Sequence, residues 1–221
     1  MAGAVIVGAG PGLGTSVARR FGAAGMRVGL IARSAATIGA ARSALDAAGV
    51  TSVPAIADAS QEGQLTAALD ALTRELGVAE VLVYNAAVIR SDRPGELSRQ
   101  EHLDTYAVNV LGALTSATHL APAMAQAGGG TIVITGGMPE PQPRATSLSL
   151  GKAGVRALTT LLAAEYGPLG VHVATVTVGG AVEPGSQFDP DRIAEHYWRL
   201  HAQPPGSWEH EVVYAGEPTA A

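Results

Sequence analysis

Short apolar runs rich in valine and isoleucine alternate with long alanine-rich stretches along the chain. The runs at 4–7, 27–32, 53–57, 81–84, 131–135, 172–178 and 211–214 predict strands. Their near-continuous apolar character belongs to a parallel sheet covered on both faces, since strands buried on two sides have no solvent face to alternate with. The stretches at 14–24, 37–48, 61–76, 99–126, 147–166 and 190–202 predict the covering helices. Gly128-Gly129-Gly130 stops the fourth helix and leads into a strand, and Gly167-Pro168 followed by Gly170 does the same for the fifth. These are turns within one domain, not linkers. The expected architecture is a doubly wound α/β parallel sheet of about seven strands, one domain over residues 1–221, with 216–221 as a frayed tail.

Composition narrows the function classes. A chain of 221 residues buries one continuous core without a second domain. With 47% hydrophobic and 15% charged residues it is globular rather than disordered. A net charge of −5 and no block of Lys or Arg offer no counterion release, so no nucleic-acid partner is expected. The absence of cysteine excludes disulfides and thiolate chemistry and fits a cytoplasmic protein. The first apolar run ends at Gly8 without a basic leader or cleavage site, and no 18-residue apolar stretch occurs, so neither a signal nor a membrane span is expected. The six histidines lack metal-ligand spacing, His196 and His201 lying five apart, and no metal is expected.

The first predicted strand runs into Gly8-Ala9-Gly10-Pro11-Gly12-Leu13-Gly14, followed by an amphipathic stretch with Val17, Ala18 and Phe21. Missing Cβ atoms let the backbone turn sharply, approach a pyrophosphate and pack the next helix onto the sheet, its N-terminus facing the anion. The spacing is Gly-x-x-x-Gly-x-Gly, because Leu13 breaks the commoner Gly-x-Gly-x-x-Gly. The second strand ends at Arg33-Ser34, where an NAD site would carry a carboxylate for the ribose 2′-hydroxyl. A guanidinium and a hydroxyl suit a 2′-phosphate instead, which favours NADP(H) over NAD(H). The fold is accordingly expected to be Rossmann-like.

The glycine spacing resembles the cofactor turn of the short-chain dehydrogenase/reductase family, and further motifs follow in order. Asp58 with Ala59 falls where the family places an aspartate beside the adenine. Tyr84-Asn85-Ala86-Ala87 is similar to its Asn-Asn-Ala-Gly strand end, keeping Asn85 and Ala86. Val108-Asn109 resembles the helix bearing the catalytic asparagine, and the segment from Gly170 through Gly179 resembles the one closing over the nicotinamide. The resemblance implies cofactor binding at Gly8, Gly12, Leu13, Gly14, Arg33, Ser34, Asp58, Ala59, Asn85, Ala86, Lys152 and Gly179, with catalytic roles for Lys152 and Asn109. It also implies a serine and a tyrosine, yet Gly137 stands at the serine position and Leu148 at the tyrosine of Tyr-x-x-x-Lys. Thr135 shares a strand face with Gly137 but lies two residues deeper, and Ser147 and Ser149 each sit about 100° around a helix from 148, so none replaces the lost hydroxyls.

Hydride addition to a ketone makes an alkoxide that needs a proton, whereas an iminium ion is neutralised by hydride and needs none. The sequence therefore predicts an NADP(H)-dependent reductase with an atypical site, acting on an imine or iminium, or on a carbonyl with another donor. Candidate donors are Tyr84, Tyr106, His196 and Tyr197, and candidate cation-stabilising carboxylates are Glu140 and Glu183. The alternatives are a non-catalytic NADP(H)-binding sensor or partner protein and a redox-neutral cyclase or isomerase. Phe188, Tyr197, Trp198 and Trp208 either line a small-molecule substrate pocket or pack in the core or an interface. The apolar girth at 111–120 and 155–164, with the resemblance, implies a homodimer or homotetramer.

Overall fold

The computed structural model describes residues 3–216. Of the tail expected at 216–221, residues 217–221 lie outside the described residues. Seven strands form one parallel sheet in the order β3-β2-β1-β4-β5-β6-β7: β1 (Gly3–Val7), β2 (Arg27–Ala32), β3 (Ser52–Ile56), β4 (Ala79–Tyr84), β5 (Gly130–Thr135), β6 (Val171–Val178) and β7 (Glu211–Tyr214). Ile6 stands opposite Leu30 of β2 and Val83 of β4, so β1 lies at the centre of the sheet. The helices are α1 (Leu13–Ala23), α2 (Ala35–Ala47), α3 (Glu62–Leu76), α4 (Arg99–Tyr106), α5 (Gly112–Gln126), α6 (Thr146–Tyr166) and α7 (Pro190–His201). This is the expected doubly wound, Rossmann-like α/β fold.

The period-two geometry of a strand splits the core into two layers. Ile6, Val81, Val83 and Val133 face α1, α2 and α7 through Phe21, Leu45, Ile193 and Tyr197. Val5, Val7, Leu82 and Ile132 face α3, α5 and α6 through Leu69, Ala117 and Leu158. Covering both faces explains why the strands read as unbroken apolar runs.

The single helix predicted over 99–126 is interrupted. Residues Ala107–Leu111 form a π-turn between α4 and α5. Tyr84 is buried beneath it, and its hydroxyl donates to the Val108 carbonyl, a group that the widened turn leaves accessible. A Cβ on Gly112 would lie 2.2 Å from that hydroxyl, so Tyr84 and Gly112 fit one another.

Candidate functional site

Between β1 and β4 the chain reverses the direction in which the sheet grows, and their diverging ends open a crevice. A cleft of about 620 Å³ occupies it, lined by Gly8, Gly10, Arg33, Asp58, Asn85 and Val88 among others. Gly8 adopts φ +88°, and a Cβ there would lie 2.3 Å from the Ala86 nitrogen. Its N–H donates to Ile31 O at 2.8 Å, and its carbonyl accepts from Asn85 Nδ2 at 2.9 Å, pinning the turn to β2 and to the end of β4. A Cβ on Gly14 would lie 2.3 Å from Gly8 O, whereas Gly10 and Gly12 have open space. The turn is thus closed underneath and bare above. Leu13, expected among the cofactor residues, turns its side chain into the core under α1.

At the other end of the cleft Arg33 is exposed and Ser34 caps α2, its Oγ accepting from Thr37 N at 3.2 Å. The cap role was not foreseen, and it leaves Ser34 on the cleft wall. Asp58 Oδ1 accepts from Ser60 N at 2.9 Å and Ser60 Oγ at 2.8 Å. The Ser60 backbone bond, with the Ser60 hydroxyl and Arg33, holds its carboxyl below the usual range against the opposing effect of burial. Ala59 lies beside it on the wall.

Asn109 and Lys152 meet the site in different ways. Asn109 Oδ1 accepts from Val88 N at 2.7 Å and Nδ2 donates to Val88 O at 3.1 Å. Its amide is committed to a cleft-wall backbone, which makes it a positioning residue. Lys152 on α6 is buried, and Nζ donates to Thr135 O at 2.7 Å. Burial pulls its pKa down to about 8. Gly137 stands beside it: a Cβ there would meet Lys152 Cε at 3.5 Å. Leu148 is buried one turn before Lys152 on α6. Gly179 follows β6, its N–H donating to Tyr214 O at 2.9 Å.

Thr135 does not share Gly137's surroundings as strand alternation suggested. Its hydroxyl donates to Asn85 Oδ1 at 3.0 Å and lies 2.7 Å from Tyr197 Oη on the α7 side. Beyond it the chain leaves the strand, with Gly137 at φ +154° and Met138 at φ +47°, which swings Gly137 against α6. Arg156, unforeseen in the sequence, holds this turn by donating from Nη1 to the Gly137 and Met138 carbonyls at 3.1 and 3.2 Å.

The four candidate donors go elsewhere. Tyr84 is spent on Val108 O and Tyr197 on Thr135, both buried so that their phenol pKa values rise. His196 packs on the Tyr214 ring at 5.1 Å. Tyr106 lines an outer groove with Leu103 and Leu150, apart from the cofactor cleft. Glu140 and Glu183 are both exposed, and the neighbouring Pro184 lines a cavity with Pro11 and Gly12 near the phosphate turn. Of the aromatics, Trp198 packs edge-on against Phe21 and Trp208 stacks on His172 at 5.0 Å, at the start of β6, away from the cleft end of the sheet. Phe188 packs against Tyr214 near Gly180.

Asp92 is a further residue that the sequence did not single out. It is buried in the loop after β4 and accepts from Ser147 N at 2.9 Å and Ser147 Oγ at 2.7 Å, capping α6 two turns before Lys152. A lone aspartate in a polar loop carries no signal of this. Among the described residues no cluster of metal-ligating side chains occurs, and no helix is long and apolar enough to cross a membrane.

The short chain dehydrogenase family profile matches residues 2–187. The chain is 33% identical over 181 residues to the galactitol 2-dehydrogenase (L-tagatose-forming) of Cereibacter sphaeroides, covering 80% of this chain and 70% of that protein. It is 28% identical over 214 residues to a short-chain dehydrogenase/reductase of Armillaria gallica, covering 95% and 79%. A metagenomic short-chain oxidoreductase solved in complex with NADP matches with a TM-score of 0.87 at 28% identity, covering 96% of each chain.

Proposed function

The chain belongs to the short-chain dehydrogenase family and is an oxidoreductase of that type, and on this footing we propose that it is NADP(H)-dependent with an atypical active site. The observation that carries the reading is selective: the cradle and Lys152 are present, while Gly137 and Leu148 occupy the positions read as the family's serine and tyrosine.

The residues present fit the cofactor. The open space over Gly10 and Gly12 admits a pyrophosphate against backbone N–H groups and the start of α1. Arg33 and the start of α2 stand at the end of β2, a strand end that itself carries no carboxylate, which supports a 2′-phosphate and hence NADP(H) over NAD(H). Asp58 and Ala59 would flank the adenine, Asn85 and Ala86 the middle of the cleft, and Lys152 the nicotinamide ribose, with Gly179 closing that end. When bound, the reduced cofactor supplies a hydride. The substrate is a small molecule, an imine or iminium ion or a carbonyl compound whose proton comes from a group other than serine or tyrosine. An iminium removes the need for the missing hydroxyls, because its nitrogen already carries its substituents and hydride transfer neutralises charge.

The test is NADPH consumption across a panel of cyclic imines and activated ketones. Turnover of either class supports the reading, and NADPH binding with no turnover of both would sink it. That outcome would favour the second reading, a sensor or a redox-neutral cyclase or isomerase, for which the commitment of all four candidate donors elsewhere speaks. Product formed at constant NADPH absorbance would single out the redox-neutral case. We also propose a homodimer or homotetramer formed through α5 and α6, whose outer faces expose Leu114, Leu150 and Leu161, continued by Leu111 at the end of the π-turn.

A further inference from the structure

Resting on the reductase reading above, we infer that Lys152 is itself the proton donor to a carbonyl substrate, in the space that Gly137 leaves beside it. Three observations on different levels converge on this residue.

The first is geometric. The Cε of Lys152 lies 3.5 Å from where a side chain at position 137 would begin, so a glycine there leaves the room of a side chain beside the end of the lysine. Among the described residues only one of its three N–H bonds has a partner, the Thr135 carbonyl. With the cofactor bound, the ribose would take a second, leaving the third for a substrate oxygen.

The second is chemical exclusion. Every other candidate donor is bonded or packed away from the cleft, and Thr135 points to α7.

The third is compositional. Lys152 is the single lysine among the chain's 14 lysine and arginine residues. The other thirteen are arginine, which does not release its proton; lysine, which can, stands at this one buried position.

The surroundings favour a mobile proton. Near Lys152, Arg156 of α6 bonds Gly137 O and Asn109 of the π-turn packs on Gly151, while Thr175 and Thr177 of β6 pack on Gly136, Thr177 being bonded to Glu211 of β7. No carboxylate bonds Nζ, and burial alone sets its acidity. The step balances. Hydride from the reduced nicotinamide goes to the carbonyl carbon, the C=O π pair moves to oxygen, and an Nζ proton joins that oxygen to give the alcohol. The neutral amine left behind regains its proton from water.

Two measurements test this. With ¹⁵Nζ-labelled lysine the protein gives one side-chain lysine resonance, readable without substrate or cofactor; titration near pH 8 is expected, and a midpoint above 10 would overturn the inference. Lys152→Arg keeps a cation on the side chain but removes the transferable proton. Ketone reduction should fall about 10²–10⁴-fold further than reduction of an N-alkylated iminium ion, any loss of ribose contact being shared by both substrates. For the native enzyme, ketone kcat/KM should decline above pH 8 and iminium kcat/KM should not. Equal loss on both substrates with NADPH still bound would reject the donor role and leave the reductase reading intact. Failure of the native protein on both substrates would reject the reductase reading itself.

Discussion

Gly8 is where the fold and the cleft can be separated experimentally. Gly8→Ala places a methyl 2.3 Å from the Ala86 nitrogen and 2.6 Å from its Cα, backbone atoms that cannot rotate aside. It also holds an L side chain at φ +88°, a left-handed conformation costing about 1–2 kcal/mol. Relief requires β1 and β4 to part at their ends, which breaks the bond from Asn85 Nδ2 to Gly8 O and strains that from Gly8 N to Ile31 O, about 1 kcal/mol each. The total is about 3–4 kcal/mol, which for a chain of this size lowers Tm by roughly 6–16 °C. Gly10→Ala is the control: nothing lies within 4 Å of its added Cβ, so stability should change by less than about 0.5 kcal/mol. That same methyl projects into the cleft, so NADPH affinity should drop. Urea unfolding followed by far-UV circular dichroism, with NADPH titration by fluorescence, reads both variants. A Gly8→Ala protein as stable as the native one, or a Gly10→Ala protein that unfolds easily, would refute the reasoning.

Arg33→Ala should weaken NADPH binding by about 1.5–3 kcal/mol, roughly 10- to 100-fold, and leave NADH nearly unchanged; an equal loss for both cofactors would place Arg33 outside the 2′-phosphate site. Asp92→Ala removes the acceptor of two bonds from Ser147, and should cost about 2–4 kcal/mol in denaturant unfolding; a loss below about 1 kcal/mol would show that α6 does not depend on this cap. His172 and His201 are held below the ordinary histidine pKa of 6.5, chiefly by burial, so the unfolded chain binds more protons once pH drops to that range. Stability should therefore fall as pH is lowered through about 6.5, with the stacked Trp208 fluorescence reporting on His172. His172→Asn should flatten the slope, and a native protein equally stable at pH 7.5 and 5.5 would contradict the assignment.

The strand pattern was legible because each strand is buried on both faces, so burial alone marked it. The phosphate turn was legible for a related reason: Gly8 and Gly14 face backbone where no Cβ fits, and such positions leave glycines in the sequence. The chemistry around Lys152 was less so. Tyr84 and Tyr197 looked like free hydroxyls, yet one supports the π-turn and the other bonds Thr135 across the sheet, partners distant in sequence. Thr135 and Gly137 obeyed strand alternation on paper, but the strand ends between them and the backbone turns. Whether Trp198 and Trp208 line a pocket or pack in the core stayed open in the sequence, because proximity to the cleft-closing segment does not reveal that α7 runs away from it. Asp92 and Arg156 were silent for the opposite reason, being ordinary polar residues whose roles exist only through the segments they bridge.

The π-turn also bears on how the gene can vary. A widened turn amounts to one residue inserted into a helix, so a single-codon deletion within 107–111 would restore an ordinary α-helical register at almost no local cost. Everything on one side of it would then rotate by about 100° against the other. Asn109 would lose Val88, and Gly112 would no longer meet the Tyr84 hydroxyl. The stretch is thus a point where length is fixed, and lineages of this protein should keep its residue count.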